Sequence, residues 1–323
     1  MDKRKYLLKK LSQSIVTIFV VVVFNFFLFR IMPGDPIRIL VRNPKMAPEA
    51  LAQIRHQFGL DQPILMQFFY YIRDLFTGNL GDSFNYRQPV LDIIMDRLPA
   101  TLVLVGLATL LAIVLGILVG VISAWKRGSK IDVVGLGMSL FLYSMPSFWF
   151  SILAIMFFCV YLKAFPTGGM SAPGAVYASF WEQITASSKY LFLPIFTFGV
   201  AMVGEYAIIM RNSLIEVFTE DYMLTARAKG VSRLDLLMKH AIPNAMLPLV
   251  TLIAINLGFI VAGAIQVETV FSWPGLGRLM YTALMARDYP LLQGLFLFVT
   301  TGVILANFCA DILYTYLDPR VKL

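Results

Sequence analysis

Few residues of this 323-residue chain are of a type and spacing that could do catalytic chemistry. Its two histidines, His56 and His240, are far apart, and it has two cysteines, Cys159 and Cys309. It has no Gly-x-x-x-x-Gly-Lys-Ser/Thr phosphate loop, no Gly-x-Ser-x-Gly elbow and no His-Glu-x-x-His zinc motif. We therefore expect a chain that is not an enzyme, does not hydrolyse ATP and holds no metal or cofactor.

Two acidic residues are associated with the long apolar stretches described below. Glu205 lies inside the fourth stretch, and Asp311 lies near the inner end of the last. An ionisable group at membrane depth is costly and is by default a functional hypothesis. Glu205 could line a solute path or pair with a neighbouring helix as part of the structure, and both interpretations stay open. Asp311 is expected to reach the interface, without a function.

A second group of polar residues lies in the segment 211–240. Thr219, Glu220 and Asp221 have the pattern of a helix start, with acids at the positive end of the helix dipole. Gly230 can adopt the left-handed conformation that ends the helix. Ser232, with Asp235 three residues later, predicts a second helix that begins in a capping box.

This helix–glycine–helix pattern favours docking to another protein. The second helix should stop near Pro243 and should present Leu234, Leu236 and Leu237 as apolar contacts. A connecting loop that covers the ends of the spans is the alternative. Thirty residues with two capped helices and exposed leucines are more than a connection requires.

The composition identifies the elements that hold these residues. The chain is 59% hydrophobic and 14% charged, with a mean hydropathy of +0.75, whereas soluble domains have about 25% charged residues. Six apolar stretches are long enough to cross about 30 Å of hydrocarbon as helices. They are residues 11–29, 98–125, 133–162, 190–210, 241–267 and 289–310. We predict an all-α integral membrane protein with six transmembrane helices.

The basic residues predict the orientation. With both termini in the cytoplasm, 15 of the 27 Lys and Arg residues lie inside, and eight of the other twelve lie in one long outer segment. The net charge of +8 is then explained mostly by the basic residues that set the orientation in the membrane, and no nucleic-acid partner is needed to explain it. In the outer segment, residues 48–58 and 63–76 read as short amphipathic helices, either at the membrane interface or packed on the span ends. Residues 163–189, with their Gly, Pro and Ser pairs, read as an irregular outer loop.

Several motifs occur in a fixed order along nearly the whole chain. They are Met32-Pro33-Gly34-Asp35-Pro36, Gly78-Asn79-Leu80-Gly81-Asp82-Ser83, Arg97-Leu98-Pro99-Ala100-Thr101-Leu102, the run from Asp221 to Gly230, Glu268-Thr269-Val270-Phe271, Pro274-Gly275-Leu276-Gly277, Arg287-Asp288-Tyr289-Pro290 and Asp318-Pro319-Arg320. In these motifs the chain resembles the permease subunits of dipeptide, oligopeptide and nickel importers of the ATP-binding-cassette (ABC) superfamily.

The resemblance implies a type I ABC importer permease fold, in which the segment 212–243 is the coupling (EAA) loop that docks on an ATPase. The superfamily pattern Glu-Ala-Ala falls here on Leu224, Thr225 and Ala226; the peptide branch commonly lacks the glutamate. The coupling residues it implies are Asp221, Tyr222, Thr225, Ala226, Arg227, Ala228, Lys229, Gly230, Ser232, Asp235 and His240.

The resemblance also implies partners and a place in the cell. The partners are a second homologous permease, two ATPase subunits that bind ATP and Mg²⁺, an extracytoplasmic solute-binding protein and membrane lipid. The expected location is the bacterial inner membrane. The expected units are residues 1–30 (tail and first span), 31–97 (extracytoplasmic), 98–318 (permease core) and 319–323 (cytoplasmic tail).

The expected function is import of di- or oligopeptides through a pathway of which this chain forms half. Nickel chelates, glutathione or oligosaccharides are alternative solutes for the same machinery. An ion-coupled secondary transporter is an alternative of another class, for which Glu205 is the one candidate coupling group. A membrane enzyme is a third class, for which no catalytic set exists.

Overall fold

The computed structural model describes residues 3–31, 61–172, 174–175 and 179–317. Within these ranges the regular structure is helical, apart from one bridge between Asp82 and Pro89. The predicted helix at 48–58, the turn at Met32 to Pro36, His56 and the tail 319–323 lie outside the described residues.

The helices are numbered in chain order. They are α1 (Lys3–Ile31), α2 (Ile64–Phe76), α3 (Val90–Trp125), α4 (Lys130–Ser144), α5 (Ser147–Ala154, continued by the π-helical turns Ile155–Tyr161), α6 (Phe180–Val217), α7 (Asp221–Ala228), α8 (Arg233–Asp235, continued by the π-helical turn Leu236–Ala241), α9 (Ile242–Phe259, followed by the 3₁₀ turn Ile260–Ala262), α10 (Ile265–Val270), α11 (Leu276–Ala286) and α12 (Tyr289–Leu317).

Five helical stretches of the described chain are long and apolar enough to cross a membrane. They are Lys5–Arg30, Val90–Trp125, Ile184–Val217, Arg233–Ala262 and Tyr289–Ile312, which confirms five of the predicted spans. The third predicted span is instead the pair α4 and α5, bent by 101°. Met145 is extended (φ −80°, ψ 133°) because the ring of Pro146 disfavours a helical conformation in the residue before it. The pair completes six spans when counted as one.

Three local predictions are corrected by the structure. Helix α6 begins at Phe180, with the Ser179 hydroxyl accepting from the Glu182 amide at 3.2 Å, so the end of the predicted loop 163–189 is helical. Pro243 does not end the helix, because it lies in the first turn of α9, where the backbone N–H that proline lacks would have no helical partner. The fifth span ends before residue 267, because Gly263 has φ +75° and breaks the helix.

Glycines bring the long helices into backbone contact. A Cβ built on Gly116 of α3 would overlap the Cβ of Tyr206, and one on Gly120 would lie 2.7 Å from the Ala207 carbonyl oxygen of α6. Gly204 of α6 is equally close to α4, with 2.6 Å to the Ser139 carbonyl oxygen. Such small-residue contacts let transmembrane helices pack closely. The Gly-x-x-x-Gly spacing at 116–120 is visible in the sequence but did not enter the sequence prediction.

The motifs at 78–102 and 268–290 meet at the end of the bundle opposite α7. The buried Asp288 carboxylate accepts from the Ser83 hydroxyl at 2.5 Å and from the Asn85 amide at 2.9 Å. The buried Glu268 carboxylate accepts from the Thr101 hydroxyl at 3.0 Å and from the Arg278 amide at 3.0 Å. These bonds tie α3 and its preceding loop to α10–α12.

Candidate functional site

The first half of the predicted coupling segment is the helix α7. It begins at Asp221, one residue later than a cap at Thr219 would place the start. The cap differs from the prediction, because Glu220 occupies the N-cap position and the Thr219 hydroxyl donates instead to the Glu216 carbonyl oxygen at 2.7 Å. Thr219 is held in the turn that closes α6. Asp221 therefore supplies the charge at the positive end of the helix dipole.

The second half begins as predicted. Gly230 has φ +77°, and its amide donates to the Arg227 carbonyl oxygen at 3.0 Å. The Ser232 hydroxyl accepts from the Asp235 amide at 3.1 Å and donates to the Asp235 carboxylate at 2.8 Å. Lys239 pairs with the same carboxylate at 2.6 Å. The two short helices are thus joined by a turn whose hydrogen bonds fix its shape.

The segment has one buried face and one exposed face. Met223 is fully buried and Leu236 and Leu237 are buried, whereas Leu224 is 56% exposed and Leu234 is 68% exposed. The prediction that Leu236 and Leu237 are contacts for a partner is wrong, because their packing against α6 and α9 is what holds the segment to the bundle. The most exposed apolar side chains of the segment are Leu224, Leu234 and Met238.

The other predicted coupling residues are likewise divided between the buried face and the exposed face of the segment. The half-buried Ala226 packs on the buried cluster, and the half-buried His240 lies in the π-helical turn. The remaining members are exposed, and they are Tyr222, Thr225, Arg227, Ala228 and Lys229. The structure therefore brings the predicted residues together on one segment with a solvent-facing surface that mixes apolar and basic groups.

A partly buried ion pair that the sequence reasoning missed fixes the base of this segment. Arg211 near the end of α6 donates to both oxygens of Asp132 in α4, at 2.7 and 2.9 Å. The Gly128 amide also donates to Asp132, at 3.0 Å. A bidentate arginine–carboxylate pair is strong and directional. It holds α4 to α6 at Arg211, the residue directly before the coupling segment 212–243.

Glu205 lies half-buried on α6, 16 residues before α7. The Asn256 amide of α9 donates to the hydroxyl of Tyr206, the neighbour of Glu205, at 2.8 Å. Tyr206 is fully buried against α3 and belongs to the same apolar cluster as Met223. Glu205 therefore lies beside a polar contact between two spans and is partly accessible.

An apolar cavity of about 1070 Å³ lies between α1, α2, α3 and α12. Its lining is apolar apart from Thr301 and includes Phe19, Phe68 and Leu98. Such a cavity has no groups that could bind the charged ends of a solute such as a peptide. In the described ranges, no three His, Cys, Asp or Glu side chains are grouped to hold a metal ion.

Known proteins resemble this chain over its whole length. The dipeptide transport system permease protein DppB of Escherichia coli K12 is 37% identical over 335 residues, covering 98% of each chain. The di/tripeptide transport system permease protein DppB of Pseudomonas aeruginosa is 36% identical over 334 residues, also covering 98% of each. In structure, the chain is similar to a chain of the inward-facing methionine ABC transporter MetNI, with a TM-score of 0.56, 19% identity and coverage of 71% and 97%.

Two family models cover most of the sequence. The model for the N-terminal part of binding-protein-dependent transport system membrane components matches residues 3–105. The model for the inner membrane component itself matches residues 116–323, which include the coupling segment and Glu205. The chain therefore belongs to the family of binding-protein-dependent transport system inner membrane components, the permeases of ABC importers.

Proposed function

We propose that this chain is one permease subunit of an ATP-driven importer of di- or oligopeptides. It forms half of the pathway with a second, similar permease, receives solute from an extracytoplasmic binding protein and docks on two ATPase subunits. Both termini and the coupling segment lie in the cytoplasm, and ATP and Mg²⁺ act on the ATPases. The relatives named as dipeptide and di/tripeptide permeases support the choice of solute.

The observation that carries this proposal is a continuous apolar cluster between the docking segment and the bundle. Met223 of α7 and Leu237 pack with Leu214 and Tyr206 of α6, and Tyr206 is the neighbour of Glu205. Interiors of this kind are close-packed and transmit displacement. A partner that pulls on the exposed Leu224 face would therefore move α6, and alternating access needs such a movement.

The turn at Gly230 tests the coupling role. Pro at this position fixes φ near −65° and removes the N–H that bonds to Arg227, so the turn cannot form. Asn tolerates a positive φ, and nothing lies within 4 Å of a Cβ added here. We expect Gly230→Pro to abolish uptake of labelled dipeptide by vesicles containing the complete importer, whereas Gly230→Asn retains it. Membrane insertion should be normal in both variants, and normal uptake by Gly230→Pro would refute the assignment.

Glu205 is the group we assign to the solute pathway. Its carboxylate would receive the α-ammonium group of a peptide. Glu205→Gln should raise the peptide concentration needed for half-maximal uptake at least about 10-fold, because a charge-assisted hydrogen bond is lost. Glu182→Gln, an exposed change at the start of α6, is the control. Equal kinetics for both variants would assign Glu205 to structure alone.

The same vesicles separate the alternative classes. Uptake that requires internal ATP and the binding protein supports the importer. Uptake driven by an ion gradient without ATPase subunits would support a secondary transporter. The ligand that co-purifies with the binding protein distinguishes peptides from nickel chelates, glutathione and oligosaccharides.

A further inference from the structure

A second cavity lies beside the coupling segment and shares Arg227 and Leu236 with it. It has a volume of about 560 Å³ and is bounded by the α3–α4 turn, the end of α6 and the residues on either side of Gly230. Its lining mixes polar and apolar groups. The residues are Ala124, Trp125, Arg127, Ile215, Phe218, Thr219, Arg227, Val231, Arg233 and Leu236.

The charged groups of this cavity are all positive. Arg127, Arg227 and Arg233 come from three separate stretches of chain, and no acid lines the cavity. In the described ranges, none of these three guanidinium groups forms an ion pair or donates a hydrogen bond. Asp132 and Asp235, the acids closest in sequence to Arg127 and Arg233, pair with Arg211 and Lys239, and Asp132 also interacts electrostatically with Arg127. The charged side chains that line the cavity are therefore all basic.

The position of the cavity favours a ligand from the membrane. Trp125, the last residue of α3, is 41% exposed and packs on Phe218 with ring centroids 6.1 Å apart. Aromatic residues at the ends of spans typically lie at headgroup level. Basic pockets between transmembrane helices at the cytoplasmic side bind anionic lipid headgroups, and the guanidinium fork suits phosphate oxygens.

We propose that this cavity binds the phosphate of an anionic phospholipid headgroup from the leaflet that faces the coupling segment. The choice of leaflet rests on the orientation proposed above, but binding itself does not. A bound phosphate would connect Arg127 of the α3–α4 turn with Arg227 and Arg233 on the two sides of Gly230. The lipid would thereby hold the coupling segment in place and make transport depend on anionic lipid.

The test is native mass spectrometry of the purified full chain in detergent, with phosphatidylglycerol, phosphatidylcholine or inorganic phosphate added. The test variant replaces Arg127, Arg227 and Arg233 with Gln. The control replaces three exposed basic residues at the same end of the bundle that do not line the cavity, Lys9, Lys126 and Lys130, with Gln. The charge change is identical in the two variants.

Each basic residue near an anionic lipid surface contributes roughly fivefold to lipid affinity, and salt screening reduces this contribution. We therefore expect the arginine variant to bind phosphatidylglycerol at least about 10-fold more weakly than the native chain. The control should stay within about twofold of the native chain, and phosphatidylcholine should bind weakly to all three proteins. Equal losses in both variants would overturn the proposal, because the attraction would be diffuse. Displacement of the lipid by millimolar phosphate would also overturn it, assigning the site to a free anion.

The experiment also distinguishes a lipid in this cavity from a partner protein. If the arginine variant binds phosphatidylglycerol like the native chain but no longer assembles with the ATPase, the cavity receives an acidic side chain of that subunit. That outcome overturns the lipid proposal and leaves the coupling role of the segment unaffected.

Discussion

The contact between α3 and α6 at Gly120 gives a prediction that can be worked out from the structure. A Cβ at Gly120 would lie 2.7 Å from the Ala207 carbonyl oxygen, 2.7 Å from the Met210 Cβ and 3.1 Å from the Arg211 amide. Two of these atoms are backbone, so no side-chain rotation relieves the overlap. Gly106 belongs to the same helix and has nothing within 4 Å of an added Cβ. Gly120→Ala and Gly106→Ala are therefore the same chemical change, made once at a filled helix contact and once at a position with open space.

The expected magnitudes follow from two opposing effects. Replacing Gly by Ala inside a helix stabilises it by about 1 kcal/mol, and this gain applies at both positions. At Gly120, forcing a methyl group into a filled contact costs about 1–3 kcal/mol. Gly106→Ala should thus be neutral to stabilising. Gly120→Ala should be less stable than Gly106→Ala by about 1–3 kcal/mol, and this difference does not depend on helix propensity.

The assay is reversible unfolding of the solubilised chain by increasing SDS, followed by the fluorescence of tryptophan, of which Trp273 is fully buried. The quantity compared is the free energy of unfolding of the two variants. Equal free energies would mean that α3 and α6 separate at no cost. The inference of backbone contact would then be refuted.

Two further perturbations test the polar contacts. Asp132→Asn leaves the partly buried Arg211 without its carboxylate, so we expect a loss of about 1.5–3 kcal/mol in the same assay, partly recovered when Arg211→Gln is added. Burial raises the pKa of Glu268 above its usual 4.5, so the folded chain binds this proton more tightly than the unfolded chain does. The associated stability is present below pH 4.5 and is lost as the pH rises through the raised pKa. Glu268→Gln should remove that slope, and a native chain whose stability is flat from about pH 4 to pH 8 would contradict the assignment.

The sequence was informative wherever the signal is local. Apolar runs located the spans because about 20 residues are needed to cross the hydrocarbon. The capping pair Ser232 and Asp235 and the left-handed Gly230 were also readable, because each depends on neighbours within a few residues. The bend at Pro146 could have been read from the same kind of signal. The bend was not predicted because the apolar run continues across it without a charged residue.

Contacts between residues far apart in the chain could not be predicted from the sequence. Ser83 and Asp288 are separated by 205 positions, and neither periodicity nor propensity connects them. Asp132 and Arg211 are each unremarkable in sequence and form a pair only because α4 and α6 pack together. The burial of Leu236 and Leu237 has the same origin. An apolar residue on a short helix can face a partner or its own bundle, and only the fold distinguishes the two.

The glycine contacts also restrict how the bundle can transmit a movement. Gly120 touches Met210, Gly116 touches Tyr206, and both of these α6 residues share the buried cluster with Met223 of the coupling segment. Sliding α6 along α3 would drive side chains into backbone atoms, so the two helices must move together. A change of shape is then easiest where the helices are already interrupted, at the 101° bend before Pro146 and at Gly263. For this reason Gly120→Ala should weaken the coupling of ATP hydrolysis to uptake as well as the stability, whereas Gly106→Ala should leave both intact.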